Sequence, residues 1–195
     1  MYFVDLCVKT GLFKGKNLVE ELAFVRYFHN QPLNVYLHLV GFHCLALAVL
    51  IFIYASAPGA DLLLVSLYTM GYLCLDVSVG IVAASVLSSL CFAARLLVAS
   101  YVSLDNNSYG SVAIVAAAAG FVGGVLQLVG HIFVDRSQPA FRMFEAFFTT
   151  PFYLYLYCFF KLGYKKQLLG KIIDSTMMWK GSERVVYGQR EFSKY

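Results

Sequence analysis

The sequence predicts an all-α protein, a helix bundle that crosses a membrane about four times and has a possible fifth or re-entrant segment. Of its 195 residues, 60% are hydrophobic and only 13% are charged, whereas about 25% of the residues in a soluble domain are charged. We expect one membrane domain over residues 1–195. It would comprise a cytosolic start (1–32), a membrane bundle (33–160) and a basic cytosolic tail (161–195).

The first helices can be placed from their apolar spacing and their breaks. Residues 17–28 carry apolar side chains at helical spacing and predict an amphipathic helix, with Glu21 off the apolar face. Pro32 suits the first turn of a new helix, because the N–H that proline lacks is not needed there. This predicts a first span at 33–55, which the sequence around Pro58 ends.

The central apolar run predicts two further spans, because each crossing needs about 20 residues. We place them at 61–79 and 81–102, with Gly80 as the turn between them. Asp76 and Arg95 interrupt this run. Charged side chains in such a segment are expected to face the bundle interior or an interface.

Residues 111–134 predict a fourth span, rich in alanine and glycine. Small residues allow helices to pack closely in a membrane. The residues expected to do so are Gly120, Gly123 and Gly124. Residues 143–160 form the possible fifth or re-entrant segment, which Pro151 interrupts.

The basic residues lie mainly at the two ends of the chain. Four precede residue 32, eight follow residue 160 and three lie between. By the positive-inside rule, this distribution predicts that both termini are cytosolic and that the number of spans is even. Asn106, in an Asn-Asn-Ser sequon, is then expected in the lumen. Binding of anionic lipid headgroups by the tail is the alternative explanation. The net charge of +4 does not indicate a nucleic-acid partner.

The histidines suggest one polar site, because an imidazole in a membrane usually faces a polar interior. They are His29, His38, His43 and His131. On one straight helix His29 and His38 would lie on opposite faces, but the break at Pro32 lets His29 fold back over the helix start. Asn34 lies one turn before His38 and is placed to orient it or to bind a carboxylate. Separate core histidines, hydrogen-bonded to carbonyls, remain the alternative, and His43 is expected to be structural.

A polar stripe follows the predicted fourth span. Gln127, His131 and Asp135 recur at intervals of four residues and so share one face of a helix. A carboxylate beside a histidine can bind a metal or hold the imidazole from behind. An ion pair between Asp135 and Arg136 at the membrane edge is the alternative interpretation.

The residues around these histidines resemble two motifs of a known family. HNQPLNVYLHLVG (residues 29–41) is similar to HxNPxNxxxHxxG. GHIFVDRSQPAF (residues 130–141) is similar to GHxxFExxxPA, with Gln127 at the family's usual glutamine and Asp135 where the family has Glu. The family consists of small multi-span membrane proteins. Its characterised fungal member is a 2-hydroxy fatty acid dioxygenase of the endoplasmic reticulum (ER) that acts in phytosphingosine degradation.

This resemblance implies a non-haem Fe(II) dioxygenase of the ER membrane. Its substrates would be molecular oxygen and a long-chain 2-hydroxy fatty acid, and its product the acid one carbon shorter. The catalytic residues and iron ligands carried over by the resemblance are His29, His38 and His131. Asp135 is a fourth candidate ligand, and Asn34 and Gln127 are candidates for substrate binding or for support of the ligands.

Three other functions explain the sequence less well. Histidine-box lipid hydroxylases and desaturases need more histidines than the four present. A non-enzymatic membrane scaffold would explain the apolar segments and basic ends but not the polar stripe. A small transporter would use Asp76 and Arg95, as an interior pair.

Overall fold

The computed structural model of the protein describes residues 2–104, 109–136 and 142–186. These residues form helices and turns with no strand among them, which confirms the all-α prediction. The predicted sequon at Asn106 and residues 137–141 of the second motif lie outside the described residues. The chain forms two compact units: unit 1 consists of Met1–Asn30 and Gln138–Tyr195, and unit 2 of Gln31–Ser137.

Each unit has its own set of helices. Unit 1 contains α1 (Tyr2–Lys9), α2 (Leu18–Phe28), a π-helical segment (Glu145–Thr149), α7 (Thr150–Lys161) and α8 (Lys166–Val186). Unit 2 contains α3 (Pro32–Ser56), α4 (Ala60–Leu75), α5 (Val77–Leu104), α6 (Tyr109–Val129) and a second π-helical segment (Gly130–Asp135). The helix predicted at 17–28 is confirmed as α2, with Asn17 as its N-cap, and Pro32 begins α3 as predicted.

Unit 1 is organised around Glu21 of α2, which is fully buried although its sequence position lies off the apolar face. The Glu21 carboxylate accepts hydrogen bonds from the N–H groups of Lys14 (2.7 Å) and Gly15 (3.1 Å) and from the Thr149 hydroxyl (3.2 Å). Burial raises the pKa of Glu21, and the nearby Glu145 carboxylate raises it further. Three donors therefore offset the cost of burying this carboxylate and tie α2 to the π-helical segment of unit 1.

Three helices of unit 2 are long and apolar enough to cross a membrane. They are α3, α5, and α6 together with its π-helical end. The membrane-bundle prediction is thereby confirmed. The remaining helix, α4, has 16 residues, which gives it a length of about 24 Å. It is shorter than the span predicted at 61–79.

α4 is short because Asp76, rather than Gly80, makes the turn. Asp76 has an extended backbone (φ −159°) that ends α4, and its carboxylate accepts a hydrogen bond from Val79 N–H (3.0 Å) at the start of α5. The prediction of a turn at Gly80 is wrong. Gly80 lies inside α5, where a Cβ would come within 2.7 Å of the Leu73 nitrogen. It is a contact residue between α4 and α5.

Arg95 has an acidic partner, but it is Asp61 and not Asp76, so the interior pair considered for a transporter does not form. Two guanidinium nitrogens lie 2.6 and 3.0 Å from the Asp61 carboxylate, which is buried. The Cys91 thiol donates to the same carboxylate at 3.2 Å, and the guanidinium lies over the Tyr54 ring at 4.9 Å. Asp76 and Arg95 therefore both have structural roles, Asp76 as a helix cap and Arg95 in an ion pair with Asp61.

The most extensive packing in unit 2 is between α3 and α6. The two helices run antiparallel, and their backbones are in contact. A Cβ on Gly41 would lie 2.8 Å from the Gly123 carbonyl oxygen, and one on Gly123 would lie 2.6 Å from the Gly41 oxygen. Close packing is confirmed for Gly123. Gly120 has an ordinary contact, 3.6 Å to Ala48, and the prediction is wrong for Gly124, which faces open space.

We expect Gly123→Ala to force α3 and α6 apart. Overpacking of this kind costs about 1–3 kcal/mol, so the unfolding midpoint in detergent should fall. Gly124→Ala is the matched control, because its Cβ meets no atom within 4 Å and alanine is the better helix former. Equal midpoints for the two variants would contradict the backbone contact.

Candidate metal centre

Two of the predicted site residues, His38 and His131, face each other inside unit 2. Their Nε2 atoms are 3.1 Å apart, and their rings meet edge to face with centroids 4.6 Å apart. Both side chains are buried, with 3% and 6% of their surface exposed. The contact joins positions 93 residues apart in sequence, one on α3 and one on the π-helical end of α6.

The orientation of His38 is set by its own helix. Its Nδ1 lies 3.0 Å from the main-chain oxygen of Asn34, one turn earlier. A carbonyl oxygen only accepts hydrogen bonds, so Nδ1 carries the proton and Nε2 presents a lone pair toward His131. This is the tautomer that a histidine needs to bind a metal through Nε2.

Gly130 allows α6 to come this close to α3. A Cβ at this position would collide with the Asn34 side-chain oxygen and would lie 3.1 Å from Cε1 of His38. The glycine before His131 is therefore required by the approach of two side chains from α3. Sequence reasoning assigned no role to Gly130 or to Gly41, although each is the glycine of one of the two motifs.

Asp135 and Asn34 are also brought together. The Asp135 carboxylate accepts a hydrogen bond from the Asn34 amide at 2.5 Å and another from the Gln31 main-chain N–H at 3.0 Å. The end of α6 is thereby fixed to the start of α3. Gln127 lies on α6, and its Cγ would be 3.2 Å from a Cβ placed on Gly41 of α3.

The other two histidines are each bonded to a carbonyl four residues earlier. His43 Nδ1 lies 2.6 Å from Leu39 O, as expected of a structural residue. His29 is the C-cap of α2 in unit 1, where it is buried and its Nδ1 lies 2.8 Å from Val25 O. The protonated Nδ1 leaves Nε2 of His29 as the nitrogen with a lone pair. Its role as a third ligand stays a prediction.

Covalent connectivity bears on this prediction, because His29 lies two residues before Gln31. The Cα atoms of these two residues are therefore at most about 7 Å apart. Gln31 itself donates to Asp135 at the start of α3. A ligand at position 29 is thus compatible with a site built on the helix that follows it.

The His38 and His131 pair fits a metal ion on geometric and chemical grounds. Two imidazole nitrogens that bind one ion at about 2.1 Å and at right angles are about 3.0 Å apart. The observed separation of the two Nε2 atoms is 3.1 Å. Imidazole nitrogen binds Fe, Zn, Cu and Ni, so this donor set would suit a transition metal without selecting one.

Comparison with known protein families identifies a family for this chain. Residues 16–166 match the family described as "2-hydroxy-palmitic acid dioxygenase Mpo1-like". The match covers most of the chain, including both histidine motifs. No curated protein and no solved structure matches the chain.

We expect Gly130→Ala to weaken metal binding while α6 still forms. The added methyl group displaces Asn34 and His38, and disturbing the support of a ligand typically costs about 10–100-fold in metal affinity. Gly120→Ala is the control, because its Cβ makes only an ordinary 3.6 Å contact with Ala48. Equilibrium dialysis with Co(II), followed by metal analysis, measures both variants. Equal affinities would show that the close approach at Gly130 is irrelevant to binding.

Proposed function

Because the chain belongs to the Mpo1-like family of 2-hydroxy-palmitic acid dioxygenases, we propose that it is an Fe(II)-dependent dioxygenase. It shortens long-chain 2-hydroxy fatty acids by one carbon. The observation that supports this most is the buried pair of imidazoles, His38 and His131, whose Nε2 atoms lie 3.1 Å apart. Each of these histidines belongs to one of the two motifs.

The proposed reaction balances with oxygen as the only oxidant. C2 of the 2-hydroxy acid becomes the carboxyl carbon of the shortened acid, the C1–C2 bond breaks, and C1 leaves as CO2. The two carbons together lose four electrons, and one O2 takes up four, so the remaining product is one water. No external reductant is needed, which separates this reaction from that of a monooxygenase.

The protein's own contribution is to hold nitrogen ligands rigidly in an apolar setting. The Asn34 carbonyl fixes the proton of His38 on Nδ1, and the backbone contact at Gly41 and Gly123 keeps His131 opposite. Three imidazoles, with His29 as the third, leave positions open on the metal for other ligands. Bound Fe(II) would supply oxygen activation and a point at which the carboxylate and hydroxyl of the substrate chelate.

The surface of unit 2 suits a substrate with a long acyl chain. Its membrane-crossing helices expose large apolar side chains along their length. Examples on α3 and on the end of α6 are Leu33, Tyr36, Val40, Leu128, Ile132 and Phe133. These residues flank the buried histidines in sequence on both helices. An acyl chain that lies against this surface keeps its apolar length in the bilayer while its polar end enters the site.

Each of the three single variants His29→Ala, His38→Ala and His131→Ala should abolish oxygen consumption on 2-hydroxypalmitate and lower the iron content of the purified protein. The loss of oxygen consumption should exceed the roughly 10–100-fold that follows removal of a residue contacting a metal ligand from outside. His43→Ala is the matched control. His43 is also bonded to a carbonyl on α3 but faces Phe42. Iron-free wild-type protein that still turns over substrate would refute the proposed function.

We further propose that the protein resides in the ER membrane with both termini in the cytosol. The basic residues at both ends support this orientation. Unit 2 supports it as well, because Gln31 and Asp135 are hydrogen-bonded and the chain enters and leaves that unit at the same end. An even number of crossings follows if the short α4 completes one of them.

Protease added to sealed microsomes should therefore remove tags at either terminus. The same tag inserted at Gly59, an exposed left-handed position between α3 and α4, is the internal control. It should be protected until detergent is added, because α3 separates it from the N-terminus by one crossing. A protected C-terminal tag would contradict this topology.

A further inference from the structure

We propose that Asp135 is a positioning residue that acts on His38 through Asn34, and that it is not an iron ligand. This inference rests on the proposed function, since it concerns how the same metal centre is held. It follows from a continuous set of hydrogen bonds within unit 2. These bonds run from the carboxylate of Asp135 to the imidazole of His38.

The first step is the engagement of both carboxylate oxygens by α3. Oδ1 accepts the Gln31 N–H at 3.0 Å, and Oδ2 accepts the Asn34 amide N–H at 2.5 Å. Gln31 is the N-cap of α3 and makes no side-chain capping bond of its own. Asp135 thus places a negative charge at the start of α3, where the helix dipole favours it.

The second step passes through Asn34, which is fully buried. Its side-chain nitrogen donates to Asp135, and its side-chain oxygen lies against Gly130. Its main-chain oxygen accepts the Nδ1 proton of His38 at 3.0 Å. Asn34 therefore links the carboxylate to the imidazole: its side chain faces one and its backbone faces the other.

The third step is the position of Asp135 on its own helix. It ends the π-helical segment that carries His131. A bond from this segment to Asn34 therefore fixes the supports of both imidazoles at once. Both oxygens of the carboxylate are held by donors on α3, which is the arrangement expected of a group that supports the ligands from outside.

An exchange of the two side chains tests this inference directly. Asp135→Asn and Asn34→Asp should each weaken Co(II) and Fe(II) binding, by about 10–100-fold as for other outer contacts of metal ligands. The double variant N34D/D135N should recover most of the loss. The amide introduced at position 135 can still accept from Gln31 and can donate to the carboxylate introduced at position 34. If Asp135 were a ligand, the exchange would remove it and no recovery would occur.

The absorption spectrum of the Co(II)-loaded protein gives a second readout, independent of activity, because it reports the ligand set. For a positioning residue, Asp135→Asn at saturating Co(II) should leave the band positions unchanged. Shifted bands would show that a ligand was lost and would overturn the proposal. This isosteric variant decides the question even if the double variant does not fold.

Arg136→Gln is the control for a simpler explanation, in which Asp135 acts only through a surface ion pair with Arg136. It removes the neighbouring exposed charge and keeps the bonds of Asp135 to α3. Co(II) affinity should stay at the wild-type value, and a loss equal to that of Asp135→Asn would overturn the proposal. Wild-type protein that binds neither Co(II) nor Fe(II) would instead refute the metal centre itself, which distinguishes the two failures.

Discussion

The backbone contact between α3 and α6 is the constraint on which the candidate site depends. Gly41 and Gly123 bring the two helices so close that neither position has room for a side chain. Without that approach the imidazoles of His38 and His131, which lie on different helices, would be too far apart to bind one ion. Helices in a bilayer gain little from hydrophobic burial against one another, so close van der Waals contact of this kind is a main source of their association.

Much of this arrangement could be predicted from local sequence. The start of α3 at Pro32, the placement of Arg95 at an interface between helices and the polar stripe that ends in Asp135 all follow from residue chemistry at helical spacing. The fold class follows from composition and from the length of the apolar segments. These features need only neighbouring residues, because proline, helix caps and apolar spacing act within a few turns of the chain.

The features that sequence reasoning missed depend on contacts between distant segments. The sequence suggests a turn at Gly80, yet its lack of a side chain allows a contact with Leu73, and Asp76 makes the turn by capping α5. No local pattern pairs Asp61 with Arg95, because the two are 34 residues apart. Glu21 gave no sign of burial, since the donors that stabilise it come from a preceding turn and from Thr149.

The π-helical segment Gly130–Asp135 makes the site dependent on the winding of one helical turn. A π-helix arises when a helical turn accommodates one extra residue, and such turns are frequent at functional sites. Here the Arg136 N–H bonds to the His131 carbonyl, five residues back. If the same residues adopted the tighter winding of an α-helix, with 3.6 residues per turn, Asp135 would be rotated about the helix axis relative to His131. Asp135 would then lose its alignment with α3, so the arrangement of Asp135 and His131 requires the wider turn.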